Sequence, residues 1–341
     1  MMPGITRTPQ GQFGFSLIEL MIASALSVII VAWLTQVFTA AARVNREMAN
    51  TNDLVERGRF VVDRLSEDVG QAGYWGGHIP TFDDLAWNGL PVDVPDGLPR
   101  PCQAFQDWQA TPGHTQALLG VPLQLHNPSL DAGCDAMLDS ESDAPGTDVL
   151  VVRRADSCVI SDGDCAAGAS AALHLQVSNC DRELVTGSGY VFDPSNLPFT
   201  ELDCVTRAAG RRFMQHIYFV RENSWGVPSL YRSAFGYAAG EYRQLAAQEW
   251  VPGVERLRVG LGVDSLSGSG ALADFAAAVI WRQQGASMVP VNRGDGIPDG
   301  PFVYCSERQP CGVNQFINTS AVRIHLLVRA TSVSYTHLTL P

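Results

Sequence analysis

The sequence predicts an α+β protein in which a long N-terminal helix, membrane-spanning in its first half and amphipathic in its second, is packed on an antiparallel β-sheet domain with loop insertions and disulfides. Three observations predict it. A run from Phe15 to about Ala42 is almost wholly apolar. A proline-free, charge-rich stretch carries its periodicity on to about Val69. Beyond that, short alternating runs are separated by Pro-, Gly- and Asp-rich loops, and all eight cysteines lie past residue 100.

The chain has 341 residues, 46% of them hydrophobic, which is enough for a sizeable core. Its formal net charge is −12, and all 23 basic residues are arginine. An acidic chain with no basic tract argues against direct nucleic-acid binding, which needs clustered cations to displace counterions from phosphates. The lack of lysine excludes Schiff-base and P-loop chemistry. No G-x-S-x-G, H-E-x-x-H or G-x-x-x-x-G-K motif occurs, and Ser188 and Ser269 lie in glycine-flanked loops with no His/Asp companions, so no enzyme is expected.

The apolar run comes first. Leu20 to Leu34 carries no charge, and about 20 helical residues cross a bilayer core, so the segment is long enough to span. The flanking charges, Arg7 before and Arg43 and Arg46 after, do not decide its orientation. The cysteines do. Cys102, Cys134, Cys158, Cys165, Cys180, Cys204, Cys305 and Cys311 are even in number and contain no CxxC pair, which reads as disulfides in an oxidising compartment rather than zinc ligands. Short loops favour Cys158–Cys165 and Cys305–Cys311, the remaining connectivity being open.

One carboxylate, Glu19, breaks the run within Gly14-Phe15-Ser16-Leu17-Ile18-Glu19. An acid at a membrane helix is costly and calls for a cationic partner, yet no basic residue lies within a turn. Cleavage after Gly14 would give Phe15 a new α-ammonium, which a neighbouring subunit's Glu19 could pair with. The alternative is an interfacial Glu19 facing headgroup water.

The residues Gly14 to Glu19, with a short leader bearing Arg7 and an apolar helix behind, resemble the class III signal of type IV pilins and pseudopilins. The resemblance implies removal of residues 1–14 by a prepilin peptidase, N-methylation of Phe15, and a role for Glu19 in docking the subunit into a filament. The competing reading is an ordinary secretory signal cut at Ala40-Ala41-Ala42, in which Glu19 has no purpose.

Past the span, Val44, Met48, Thr51, Val55, Gly58, Val62, Leu65 and Val69 recur in three- and four-residue steps on a helix otherwise rich in Arg, Asp and Glu. The helix is expected over 15–72, spanning the membrane to about 42, and the glycines of Gly70-Gln71-Ala72-Gly73-Tyr74-Trp75-Gly76-Gly77 end it. That segment resembles the one following the helix in PilW-like minor pilins. Val254 to Val259 with Gly262-Val263-Asp264, and Ser320 to Arg329, resemble the closing strands of the same family.

Strands are expected at Asp148–Arg153, Ala172–Val177, Phe213–Arg221, Ser229–Phe235, Val254–Val263, Phe275–Trp281 and Ala321–Arg329. Glu222 to Pro228 would join two of them as a hairpin. Residues 76–146 read as a loop-dominated insertion held by Cys102 and Cys134, with a partner-binding surface as the alternative. Asp295 and Asp299 sit in an Asp/Gly-rich loop of calcium-binding type, but Val291 and Arg293 fill two ligand positions, so a plain turn is favoured and no cofactor is expected. Ser161-Asp162-Gly163-Asp164 reads as a further turn, and Asn318-Thr319-Ser320 as an ordinary loop rather than a glycosylation site.

The resemblance therefore implies a pilin-like minor pilin anchored in the inner membrane, with residues 73–331 as a periplasmic domain and the pilus as its destination. Its implied partners are the prepilin peptidase, the major and other minor pilins, the inner-membrane assembly platform and a pilus-tip adhesin. A minor pseudopilin of a type II secretion system shares the same features. A periplasmic binding protein or enzyme with an ordinary signal is the reading from a different class. Ser332 to Pro341 resemble a translated adapter and are read as a non-native tail.

Overall fold

A computed structural model describes residues 14–126, 134, 138, 146–160, 172–186 and 189–330. The expected leader, Cys165, Ser188, the turn at 161–164 and the tail at 332–341 lie outside the described residues. The chain divides into two compact units at the Val55/Glu56 boundary.

One helix, α1 (Leu17–Gly70), crosses that boundary without a break. It starts at Ser16, whose backbone N–H donates to Glu19 Oε2 at 3.0 Å. That is half of an S-x-x-E capping box, satisfying a donor that the first turn leaves open. Ser24, Ser27, Thr35 and Thr39 give their hydroxyl protons to carbonyls three or four residues back, so each hydroxyl finds a partner inside its own helix. The helix ends at Gly70, and Gly73 at φ +79° turns the chain so that its N–H donates to Arg153 O at 3.1 Å. A β-carbon at Gly73 would be strained by that φ and would crowd Pro122.

The second unit is built on an antiparallel sheet. Its central path contains β1 (Leu123–His126), β2 (Val149–Val159), β3 (His174–Val177), β4 (Tyr190–Asp193) and β5 (Gly210–Glu222), in the order β1-β2-β5-β3-β4. Strand β5 holds β2 along one side. On the other it pairs with β3 near Gly210 and then with β6 (Pro228–Ala238) from His216 onward. β6 in turn pairs β7 (Glu241–Gln244) and β8 (Gln248–Pro252). The β5–β6 hairpin forms as expected, with Asn223 Oδ1 accepting the N–H groups of Trp225 and Val227.

Alternation gives this sheet two buried faces. Leu150, Val152, Tyr218, Val220 and Leu230 form a core with Val61 and Leu65 of α1. The opposite face carries Val151, Ile217 and Phe219 in one cluster, and Ala155 and Phe213 in another with Trp75, Trp108, Leu118 and Leu119. The 76–126 segment thus covers the sheet rather than standing off it, and it contains a short helix, α2 (His114–Gly120), that the loop expectation did not include. The helical stripe also shifts. Val61, not Val62, is buried, because the chain enters the core on a four-residue step to Leu65, and Val62 stays 46% exposed.

The closing strands pair as expected. β9 (Val254–Val263) runs antiparallel to β12 (Thr319–Val328), with Val259 opposite Ile324. Val322, Ile324, Leu326 and Val328 face the core, while Arg323, His325 and Leu327 are exposed. Fully buried Asp148 ties this pair to the main sheet, accepting from Arg258 Nη1 at 2.6 Å and Val259 N–H at 2.7 Å. The expected strand at Phe275–Trp281 does not form, and only Trp281 joins a strand, β10 (Trp281–Gln284), paired with β11 (Ser287–Pro290). Asn292 is the reason: its side chain accepts from Ile280 N–H at 2.8 Å and donates to Ala278 O at 2.9 Å, occupying the groups a ladder would need.

Disulfides join Cys102 to Cys134, Cys180 to Cys204 and Cys305 to Cys311. Cys158 is also disulfide-bonded. The short helices α3 (Asp181–Thr186) and α4 (Val313–Ile317) follow β3 and precede β12.

Candidate functional site

The N-terminal site occupies a single turn. Gly14 and Phe15 precede the helix in non-helical backbone, Phe15 is 89% exposed, and among the described residues nothing lies within 4 Å of where a Gly14 β-carbon would stand. Among the described residues nothing covers the Gly14–Phe15 bond. Glu19 is exposed one turn later, its Oε2 held by the Ser16 N–H. Capping at the positive end of the helix dipole gives this acid a local role as well as any intermolecular one. The helix that follows is long and apolar enough to cross a membrane, and none of its most apolar window is buried. The exposed side chains include Leu20, Ile22, Leu26, Ile29, Trp33 and Phe38.

The other singled-out residues do different work. Asp299 Oδ2 accepts the backbone N–H groups of Ser265 and Leu266, both at 2.6 Å, and Asp295 Oδ1 accepts from Ile297 N–H. These carboxylates cap turns. Among the described residues no cluster of three or more His, Cys, Asp or Glu side chains could hold a metal ion.

The cluster that sequence reasoning missed lies at the other end of α1. Asp68, assigned to the charged helix face, is 5% exposed. Arg154 Nε donates to its Oδ1 at 2.8 Å, while His216 Nδ1 and the Tyr218 hydroxyl reach its Oδ2 at 2.7 and 2.9 Å. Burial alone would raise the carboxyl's pKa, but hydrogen bonds and charge from His216 and Arg154 prevail and lower it to about 2. Burial and the adjacent Asp68 charge push the Tyr218 phenol upward. The signal was present: Asp68 falls three residues after Leu65 and seven after Val61, on the buried stripe. On the opposite face Arg153 is fully buried and donates to Gln215 Oε1, Val121 O and Gln124 Oε1 at 2.7–2.9 Å. Burial lowers its pKa to about 9, which leaves it a cation at pH 7.

The chain thus combines an exposed Gly-Phe bond, an unburied apolar helix behind it, and a helix end built into an antiparallel sheet. Comparison with known families is more specific. Residues 217–339 match the family described as Type IV Pilus-assembly protein W, and residues 9–35 match the Prokaryotic N-terminal methylation motif. Together the two matches support a PilW-like type IV pilin. The first spans the closing strands β9 and β12, and the second spans Gly14, Phe15 and Glu19. No curated protein and no solved structure matches the chain.

Proposed function

We propose that this chain is a minor pilin, cleaved after Gly14, N-methylated at Phe15 and incorporated into a type IV pilus, where it helps other minor pilins to start the filament. The observation that carries the reading is the exposed Gly14–Phe15 bond directly ahead of an apolar helix with nothing packed on its most apolar window. In the membrane that surface is covered by lipid; in a filament, by the helices of neighbouring subunits. The role is structural. The prepilin peptidase, the major and other minor pilins, and the inner-membrane assembly platform are its partners. The disulfides of the second unit support a periplasmic location for that unit.

Freed by cleavage, the Phe15 amine of one subunit pairs with Glu19 of the next, in place of the local bond to Ser16. Mass spectrometry of the purified N-terminus tests the processing step: N-methyl-Phe15 is expected, and a chain starting at Arg43 overturns it. Glu19→Gln separates the two roles of the acid, because the amide oxygen still caps Ser16 but carries no charge. Incorporation should fail in Glu19→Gln as in Glu19→Ala. Normal incorporation of Glu19→Gln would leave Glu19 a helix cap only.

A further inference from the structure

The chain is acidic overall, yet four of its arginines converge on one concavity. A cleft of about 400 Å³ opens on the sheet face beside the end of α1, where β5 exchanges β3 for β6. Arg64, Arg154, Arg212 and Arg232 line it, against the carboxylates of Glu67 and Asp68. Both carboxylates are already engaged: Asp68 by Arg154, His216 and Tyr218, and Glu67 by Arg64 at 2.9 Å. Arg212 is half-exposed and bound to Asp156 at 2.8 Å.

Arg232 differs from the other three. It is half-buried and forms no ion pair among the described residues, its polar neighbour being the Tyr218 hydroxyl. Its guanidinium lies 5.1 Å from the ring centroid of Trp250, whose indole also packs against Tyr218 and Phe60. Packing against an aromatic face holds a guanidinium in place, and of its five N–H donors those not turned to Tyr218 remain available. A half-buried, held cation without a carboxylate is unusual in a chain with 12 more acidic than basic residues.

We propose that the cleft binds an oxyanion, a carboxylate or phosphate group, gripped by Arg232 with help from Arg212 and flanked by Met214 and Trp250. Paired guanidinium donors match the two oxygens of such a group, and a site shielded by the sheet and α1 strengthens the attraction relative to open solvent. The oxyanion reaches the cleft either as a free small molecule or on the acidic side chain of a partner.

The test is isothermal titration of the full chain in detergent micelles at low salt, using inorganic phosphate, citrate and a Glu-rich hexapeptide as separate probes. Saturable binding of at least one probe is expected, weakened tenfold or more by Arg232→Gln and unchanged by Arg282→Gln on the exposed β10–β11 ribbon. Citrate or phosphate binding identifies a free anion as the source, and binding of the peptide alone identifies a partner's side chain. Arg212→Gln, at a half-exposed position, gives a second variant should Arg232→Gln fail to fold, and a threefold or greater weakening is expected there. No saturable binding by any probe, or binding equal in wild type and cleft variants, overturns the proposal.

Discussion

Replacing Asp68 with asparagine keeps the side chain's size and removes its charge. In the wild type this carboxylate accepts from Arg154, His216 and Tyr218 at 2.7–2.9 Å while only 5% exposed. The variant leaves Arg154 largely buried without its anion, and the new amide N–H₂ faces groups that are themselves donors. Removing one partner of a buried ion pair costs about 3–5 kcal/mol, because the remaining charge is stranded. Linkage gives an independent figure for part of this. A carboxyl lowered from 3.8 to about 2 on folding contributes about 2.5 kcal/mol, fully present above pH 3.8 and lost as the pH falls through 2. Asp68→Asn should therefore destabilise the second unit by about 3–5 kcal/mol at pH 7, and its loss of stability between pH 4 and 2 should be flatter than wild type by about 2 kcal/mol. Urea denaturation of the oxidised protein, followed by circular dichroism, reads both. A double cycle with Arg154→Gln should show coupling above about 1 kcal/mol. A loss below about 1 kcal/mol with no coupling would refute the view that this clamp holds the helix end to the sheet.

Three further outcomes follow from the same structure. Leu65→Ala, at a position with 0% exposure in the α1–sheet core, should cost about 2–5 kcal/mol, while Val62→Ala, 46% exposed, should cost under about 1 kcal/mol; reversal of that order in urea denaturation would move the stripe back to Val62. The buried His114 ring has its pKa lowered to about 4, by burial first and then by the Arg153 and Arg100 charges, so its neutral form is favoured in the fold. Its contribution is complete above pH 6.5 and is lost as the pH falls toward 4, so His114→Phe should reduce the decline in urea midpoint between pH 7 and 5. Removing the Cys180–Cys204 bridge, which spans 24 residues, should cost about 3.5 kcal/mol, against about 2 kcal/mol for Cys305–Cys311, which spans 6, as read by paired alanine variants.

What sequence reasoning reached here was what is encoded locally. The helix's length follows from an absence of proline and its end from Gly70 and Gly73, and both agree with the structure. The β9–β12 pair and the Asn223 hairpin were legible for the same reason: alternation and turn chemistry sit within a few residues. The choice between Val61 and Val62 was not, because two adjacent valines fit a three- or a four-residue step equally well, and only the sheet facing them decides. Phe275–Trp281 failed through Asn292, a side chain 12 residues past Ile280 that takes over the backbone groups. Arg153 and Arg154 are neighbours of the same type, yet one is sunk among Gln124 and Gln215 and the other is clamped on Asp68. Strand alternation predicts that they face opposite ways, but the amides that make Arg153's burial tolerable lie 29 and 62 residues away. For the candidate site, Gly14, Phe15 and Glu19 lie within a six-residue motif, whereas the Asp68 cluster and the arginine cleft are assembled from α1, β2, β5, β6 and β8.

The shared ownership of α1 dictates where a soluble fragment can be cut. Trimming after Ala42 discards the exposed apolar part of α1 and keeps Val61, Leu65 and Asp68, the α1 residues buried against the sheet. Trimming at Gly70, where the globular part looks to begin by composition, removes Val61, Leu65 and Asp68 and strips a wall from the β-sheet.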